Sequence, residues 1–129
     1  MARTDINLLI GGEAGQGLVT LGGILAKSLV RAGYLIVVTQ SYHSRIRGGH
    51  NTYAIRASGE KIVAPREEVD LLIALNGETV ALHNRELGAG GLVIVDKAFK
   101  TTADNCLQVP YVELGEKQLS AVVLKAYPR

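Results

Sequence analysis

Ile6 to Thr39 reads INLLIGGEAGQGLVTLGGILAKSLVRAGYLIVVT, and this stretch decides the fold class. Ile6 to Ile10 is a short apolar run that stops at Gly11-Gly12, the pattern of a buried strand entering a tight turn. From residue 16 to residue 32 the spacing becomes helical. Leu18, Leu21, Leu25, Leu29 and Ala32 fall on one stripe, and Gly33 fits the stop position just past a helix end. Leu35 to Thr39 is apolar and β-branched, a second buried strand. Strand, helix and strand with short connections make a βαβ unit, which predicts parallel strands joined by a right-handed crossover.

Downstream, a polar loop runs from Ser41 to His50. Residues 51–58 alternate, with Tyr53, Ile55 and Ala57 on one side and Thr52, Ala54 and Arg56 on the other. This predicts a half-exposed strand, antiparallel at an edge. Ser58-Gly59-Glu60 then turns into Lys61-Ile62-Val63 as a short hairpin partner. Residues 69–75 (VDLLIAL) read as a third parallel strand. Asn76 is placed to cap a helix from Gly77 to about Leu87, with Glu78 in its first turn and Gly88 as its stop. Residues 92–96 (LVIVD) are a further buried strand. Residues 107–113 make a weaker one, put near an edge by Pro110, and residues 114–126 are helix-compatible. The predicted class is α/β: a three-layer α/β/α domain around a mostly parallel, mixed sheet, with 1–129 a single domain.

The 129 residues are 47% hydrophobic and 20% charged, the balance of a folded chain. A net charge of +2, with 5% aromatic residues and no Trp, gives neither the basic excess nor the stacking platform of a nucleic-acid binder. The single Cys, Cys106, rules out an internal disulfide framework and any thiolate-held zinc or iron–sulfur cluster supplied by this chain alone. Its default reading is an inert thiol. The first apolar run is too short for a signal peptide or a membrane span, so no membrane partner is expected and the cytoplasm is the expected compartment. Glycine stands out, with 15 residues against a usual share of about 7%.

Part of that glycine lies in GGEAGQG, Gly11 to Gly17, between a strand and a helix. Backbone N–H groups at such a helix start, unobstructed by side chains, attract an anion. Gly12, Gly15 and Gly17 are the candidates. Tight turning and close helix–sheet packing would explain the same glycines, and for Gly22-Gly23 packing is the whole reading. A nucleotide-hydrolysing P-loop is disfavoured, because Leu18-Val19 stand where Lys-Ser/Thr would be needed. NAD is disfavoured too: the third glycine of a G-x-G-x-x-G fingerprint is replaced by Thr20, and the second strand ends in Thr39-Gln40 with no acidic residue for a ribose.

The second constellation is SYHSRIRGGHN, Ser41 to Asn51, just past the carboxyl end of the second strand, where open α/β sheets bind ligands. Arg45 and Arg47 suit phosphate or carboxylate. Gly48 and Gly49 permit close backbone approach, and Asn51 adds a hydrogen-bonding amide. Ligand binding and subunit docking both fit this loop; a merely solvated loop fits its density of Arg, His and Gly less well. Because both glycine-rich segments follow carboxyl ends of strands taken as adjacent, they should face each other across one crevice. His43 and His50 lack metal-site spacing, and His83 reads as a surface residue. Asp70 falls at the start of its strand, Asp96 reads as a turn-former, and no pair of carboxylates has general acid/base spacing.

At these two segments the sequence resembles the gamma subunit, or gamma domain, of 2-oxoacid:ferredoxin oxidoreductases. The matching residues are Gly11–Gly17, Leu25-Ala26, Gly33-Tyr34, Ser41-Tyr42, Arg47-Gly48-Gly49, Pro65, the strand at 70–76 and VIVD at 93–96. IRGGHN at 46–51 resembles the variety whose gamma domain is fused ahead of the alpha subunit. The resemblance implies a component of a complex that decarboxylates a 2-oxoacid, sends electrons to ferredoxin and transfers the acyl group to coenzyme A. It implies that thiamine diphosphate, Mg and iron–sulfur clusters belong to alpha, beta and delta-type partner subunits, and that this chain has no activity alone. Coenzyme A would meet the motif positions, from the Gly-rich turn to Arg47, Gly48, Gly49 and Asn51. Family members continue past the position of Arg129, so a C-terminally incomplete domain is expected. The alternative is a free-standing nucleotide- or anion-binding or scaffolding module without catalysis.

Overall fold

The computed structural model describes residues 5–13, 15–43, 49–62, 64–99 and 105–117. In chain order they form β1 (Asp5–Glu13), α1 (Leu18–Arg31), β2 (Leu35–His43), β3 (His50–Ser58), β4 (Val69–Ala74), α2 (Gly77–His83), a 3-10 turn (Asn84–Glu86), β5 (Leu87–Asp96) and β6 (Cys106–Val109). Residues 111–117 are helical. The strands make one six-stranded sheet in the order β2-β3-β1-β4-β5-β6. β1, β4, β5 and β6 pair in parallel, and β3 is antiparallel to both β1 and β2.

Strand alternation on β1 separates two cores. Leu8 and Ile10 join Leu18 and Ala26 of α1 and Tyr53 and Ile55 of β3. Leu9 joins Val80 of α2 with Leu72, Val93 and Val95 on the other face. A helix on each face of a mixed, mostly parallel sheet is the α/β/α arrangement predicted. Gly33 ends α1 at φ 97°, as its position implied. At Gly22 a Cβ would stand 2.4 Å from Cδ1 of the buried Tyr53 ring, so the helix touches the sheet there because it has no side chain. At Gly23 a Cβ would meet nothing within 4 Å, so close packing explains only the first glycine of that pair.

Several boundaries differ from the sequence reading. β3 is not an edge strand: it lies between β1 and β2, so the strands of the βαβ unit run parallel without being neighbours. The polar side of β3 suggested solvent, but Arg56 is bound to Asp5 through Nε at 3.1 Å and Nη2 at 2.9 Å. A paired guanidinium can cover sheet surface where a free one could not. Lys61 and Ile62 adopt no regular structure, and Val63 lies outside the described residues. The second helix ends at His83, and its expected stop, Gly88, is already inside β5. β6 ends before Pro110, and the next helix begins at 111 rather than 114. Leu114 N donates to Pro110 O at 3.0 Å; proline's fixed φ suits a helix start better than strand continuation. The expected helix beyond 117 lies outside the described residues.

Candidate functional site

The Gly-rich turn follows the carboxyl end of β1. Gly15 and Gly17 take φ of 90° and 78°, the left-handed region that other residues avoid. Gly17 is the N-cap of α1, with no side-chain capping bond and no acidic residue in the first turn. The positive end of the helix is therefore neither capped nor neutralised from within α1, which favours an anion there. Neither Gly15 nor Gly17 would bring a Cβ within 4 Å of anything, so the space above the turn is open.

Gln16 braces this turn. Its Oε1 accepts from Glu13 N at 2.6 Å, and its Nε2 donates to Leu75 O at 3.3 Å. Leu75 N in turn donates to Gly11 O at 2.9 Å. The turn is thereby tied to the loop between β4 and α2. Gly12 sits below it, within β1, where a Cβ would come within 3.0 Å of Leu75 Cβ. Its role is packing under the turn rather than lining the space above.

β3 supplies the opposite wall. Register pairs Gly12 with Asn51 and Glu13 with His50. Glu13, Gly15, Gly17, Leu18, Thr20 and Asn51 line one small cleft of about 230 Å3. Gly15 and Gly17 of the first predicted constellation thus meet Asn51 of the second. Gly49 is buried just before β3. Arg45, Arg47 and Gly48 lie outside the described residues. The crevice was expected from adjacent strands; β3 intervenes, yet β2 remains parallel to β1 across it, so the carboxyl end of β2 and the first residue of β3 lie at the same end of the sheet as Glu13.

A second cluster was not anticipated. On the α2 face, Nε2 of His50 and Nε2 of His83 are 2.7 Å apart, and His83 Nδ1 bonds Glu86 Oε2. The two rings meet edge to edge, with centroids 4.8 Å apart and planes inclined by 29°. His83, read as a surface residue, is a half-buried partner of a buried one. No spacing signal could reveal a pair 33 residues apart; only the placement of α2 against β3 makes it. Among the described residues no group of three metal-ligating side chains comes together.

Several other polar residues tie the elements together. Asn76 Oδ1 accepts from Thr79 N at 3.0 Å and Thr79 Oγ1 at 2.7 Å, the predicted cap of α2. Asp96 accepts from Ala98 N at 2.9 Å, the turn-former predicted. Buried Asp70 accepts from Asn7 N at 2.8 Å and bonds Arg66. Cys106 is half-buried in β6 against the α2-face core. Tyr111 donates to Ala74 O at 3.1 Å; burial first, then the charges of Asp96 and Cys106, push its phenol up to about 12.

Residues 7–126 match the family model described as pyruvate ferredoxin/flavodoxin oxidoreductase. The chain belongs to this family. A 2-oxoacid:ferredoxin oxidoreductase 2 alpha subunit of Aeropyrum pernix is 36% identical over 104 residues, 81% of this chain and 16% of that protein. The 2-oxoglutarate synthase subunit KorC of Methanothermobacter marburgensis is 35% identical over 89 residues, 67% of this chain and 48% of KorC. The chain therefore spans about a sixth of the first relative and about half of the second. Among solved structures, the gamma subunit of keto/oxoacid ferredoxin oxidoreductase from Geobacter sulfurreducens PCA is similar at TM-score 0.65 and 26% identity, over 82% of this chain and 59% of that one. A 2-oxoglutarate:ferredoxin oxidoreductase from Magnetococcus marinus, solved with 2-oxoglutarate, coenzyme A and succinyl-CoA bound, matches at TM-score 0.78 and 22% identity, over 92% of this chain and 22% of that one. At that identity the likeness concerns the fold.

Proposed function

We propose that this member of the pyruvate ferredoxin/flavodoxin oxidoreductase family is a single gamma-type domain of a 2-oxoacid:ferredoxin oxidoreductase complex, and that it presents a diphosphate-binding edge to coenzyme A. The observation that carries the reading is the meeting of Gly15, Gly17 and Asn51 in one cleft at an uncapped helix start. A cleft of about 230 Å3 is smaller than the roughly 300–1,000 Å3 of a whole-ligand pocket. It has room for the diphosphate of a larger molecule, whose remainder would lie against another subunit. Arg45 and Arg47 would pair phosphate oxygens with their guanidinium groups, and Gly48 and Gly49 would permit close backbone approach to the ligand.

In this reading the complex takes a 2-oxoacid and coenzyme A, releases carbon dioxide, forms the acyl thioester and passes two electrons to ferredoxin. Decarboxylation on thiamine diphosphate with Mg, and electron transfer through iron–sulfur clusters, fall to alpha, beta and delta-type partners. This chain binds and orients the acyl acceptor. Among the described residues no helix is long and apolar enough to cross a membrane, and the cytoplasm is the compartment proposed.

The test is reconstitution. The complex assembled with this chain should reduce ferredoxin with a 2-oxoacid only when coenzyme A is present. Full coenzyme-A-dependent activity in a complex lacking it would sink the proposal. Asn51→Ala in the assembled complex should raise KM for coenzyme A about tenfold, the loss of one hydrogen bond to a charged group of ~1.4 kcal/mol. An unchanged KM with weakened assembly would favour docking as the role of this edge.

A further inference from the structure

We propose that His50, His83 and Glu86 form a positioning relay, running from the 3-10 turn after α2 to the first residue of β3, that fixes the Asn51 wall of the cleft. The hydrogen-bond directions follow from chemistry. A carboxylate only accepts, so His83 Nδ1 carries the hydrogen toward Glu86. A neutral imidazole then has its lone pair on Nε2. With His83 in that neutral form, the facing His50 Nε2, 2.7 Å away, is the donor. Each ring is thereby held in one tautomer and one orientation.

His50 is the buried member, at 5% exposure. It opens β3, paired with Glu13 of β1 and His43 of β2. A terminal rung frays unless something ties it down, and the relay ties this one to α2. The ring lies against Gly11, where a Cβ would stand 3.3 Å from His50 Cε1 and 2.4 Å from Thr79 Cγ2. Gly11 thus leaves the space that lets the imidazole reach α2. Successive residues of a strand point to opposite faces. With His50 fixed on the α2 face, Asn51 is fixed on the other, toward Gly15 and Gly17. His83 and Glu86 act through His50 and touch no part of the cleft themselves.

The effect on coenzyme A affinity rests on the proposed function; the relay itself does not. In the full chain, nitrogen-detected NMR should find slowly exchanging ring N–H protons at His83 Nδ1 and His50 Nε2. His83→Ala should remove the His50 signal and speed hydrogen exchange of the Asn51 amide by about tenfold or more. His83→Gln should restore slow exchange at Asn51, because its amide can donate to Glu86 and accept from His50. Coenzyme A binding by calorimetry should weaken about tenfold in His83→Ala and recover in His83→Gln, ~1.4 kcal/mol each way. If the His83→Ala chain does not fold, Glu86→Ala carries the same test, since Glu86 is exposed and its loss frees His83 Nδ1. Unchanged exchange at Asn51 in the alanine variants, or a change that His83→Gln does not restore, would overturn the relay. If the wild-type chain and complex bind no coenzyme A, the proposed function falls while ring signals and exchange still decide the relay.

Discussion

The two halves of the sheet are built differently. β2, β3 and β1 pair antiparallel in one unbroken register, from Leu35 and Asp5 opposite Ser58 to His43 and Glu13 opposite His50. α1 covers their apolar face. β4, β5 and β6 pair in parallel, with a register shift between Val69 and Leu71. α2 covers one face of that half. On the other face, in line with Leu71 and Ile73, Leu92 is 39% exposed and Leu107 is 50% exposed. The β2–β3 hairpin takes its register from residues close in sequence, whereas β1 reaches β3 only across α1 and β2, and parallel strands need crossovers and tertiary packing to align them. The candidate site stands on β1, where the halves meet. Asn51 joins it from the antiparallel side and Leu75 braces it from the parallel side.

The contrast breaks most sharply at the closest contact. Gly22→Ala puts a methyl inside the van der Waals shell of buried Tyr53 and should cost about 3 kcal/mol, the upper end for overpacking. It would be read as a fall in the urea midpoint at constant m-value. Gly23→Ala, one residue on and facing open space, should instead gain about 0.5–1 kcal/mol from helix propensity. Equal losses from both would show that α1 does not pack as described.

In the parallel half the comparable contact is a cap rather than a close approach. Asn76→Ala removes the acceptor for Thr79 N and for the buried Thr79 hydroxyl. About 1–2 kcal/mol of stability should be lost, with the effect concentrated in amide exchange along α2. Exchange rates in α1 should stay at wild-type values.

Tyr111 gives that half a pH signature. Its folded-state phenol is raised to about 12, against an ordinary 10.0. A raised value means that stability is complete below the unfolded pKa and declines as pH climbs toward the folded one. The loss should fall between about pH 10 and 12 and amount to ~1 kcal/mol or less after solvent screening. Tyr111→Phe should remove this component of the alkaline slope. An identical slope in the variant would mean that another group titrates there. The smallest change is expected where Leu107 is half exposed among the described residues: Leu107→Ser should alter stability of the chain by less than about 0.5 kcal/mol. A larger loss would show that the α1 side of the parallel half is covered.

Much of the antiparallel half was legible, because its signals are local. The stripe from Leu18 to Leu29, the αL glycine at 33 and the alternation of Tyr53, Ile55 and Ala57 each report a period that the chain obeys over a few residues. The misplaced strand shows the limit of such signals. Thr52, Ala54 and Arg56 carry the same pattern whether solvent or Asp5 faces them, so alternation alone put β3 at an edge. In the parallel half, Asn76 announced its helix by capping chemistry. The length of that helix was overestimated because Gly88 can end a helix or sit within a strand, and here it sits within β5.

The sequence by itself determined the types of the main elements from β1 to β5, the α/β class, the open Gly-rich turn before α1 and the family to which the chain belongs. These depend on residue periods, on the backbone freedom of glycine and on motif order, all properties of neighbouring residues. The tertiary structure decided the strand order, the meeting of Asn51 with Gly15 and Gly17, the brace from Gln16 to Leu75 and the joining of His50 to His83. Each of these brings together groups far apart in the chain. Burial and hydrogen bonding select such contacts only once the sheet has closed around β1.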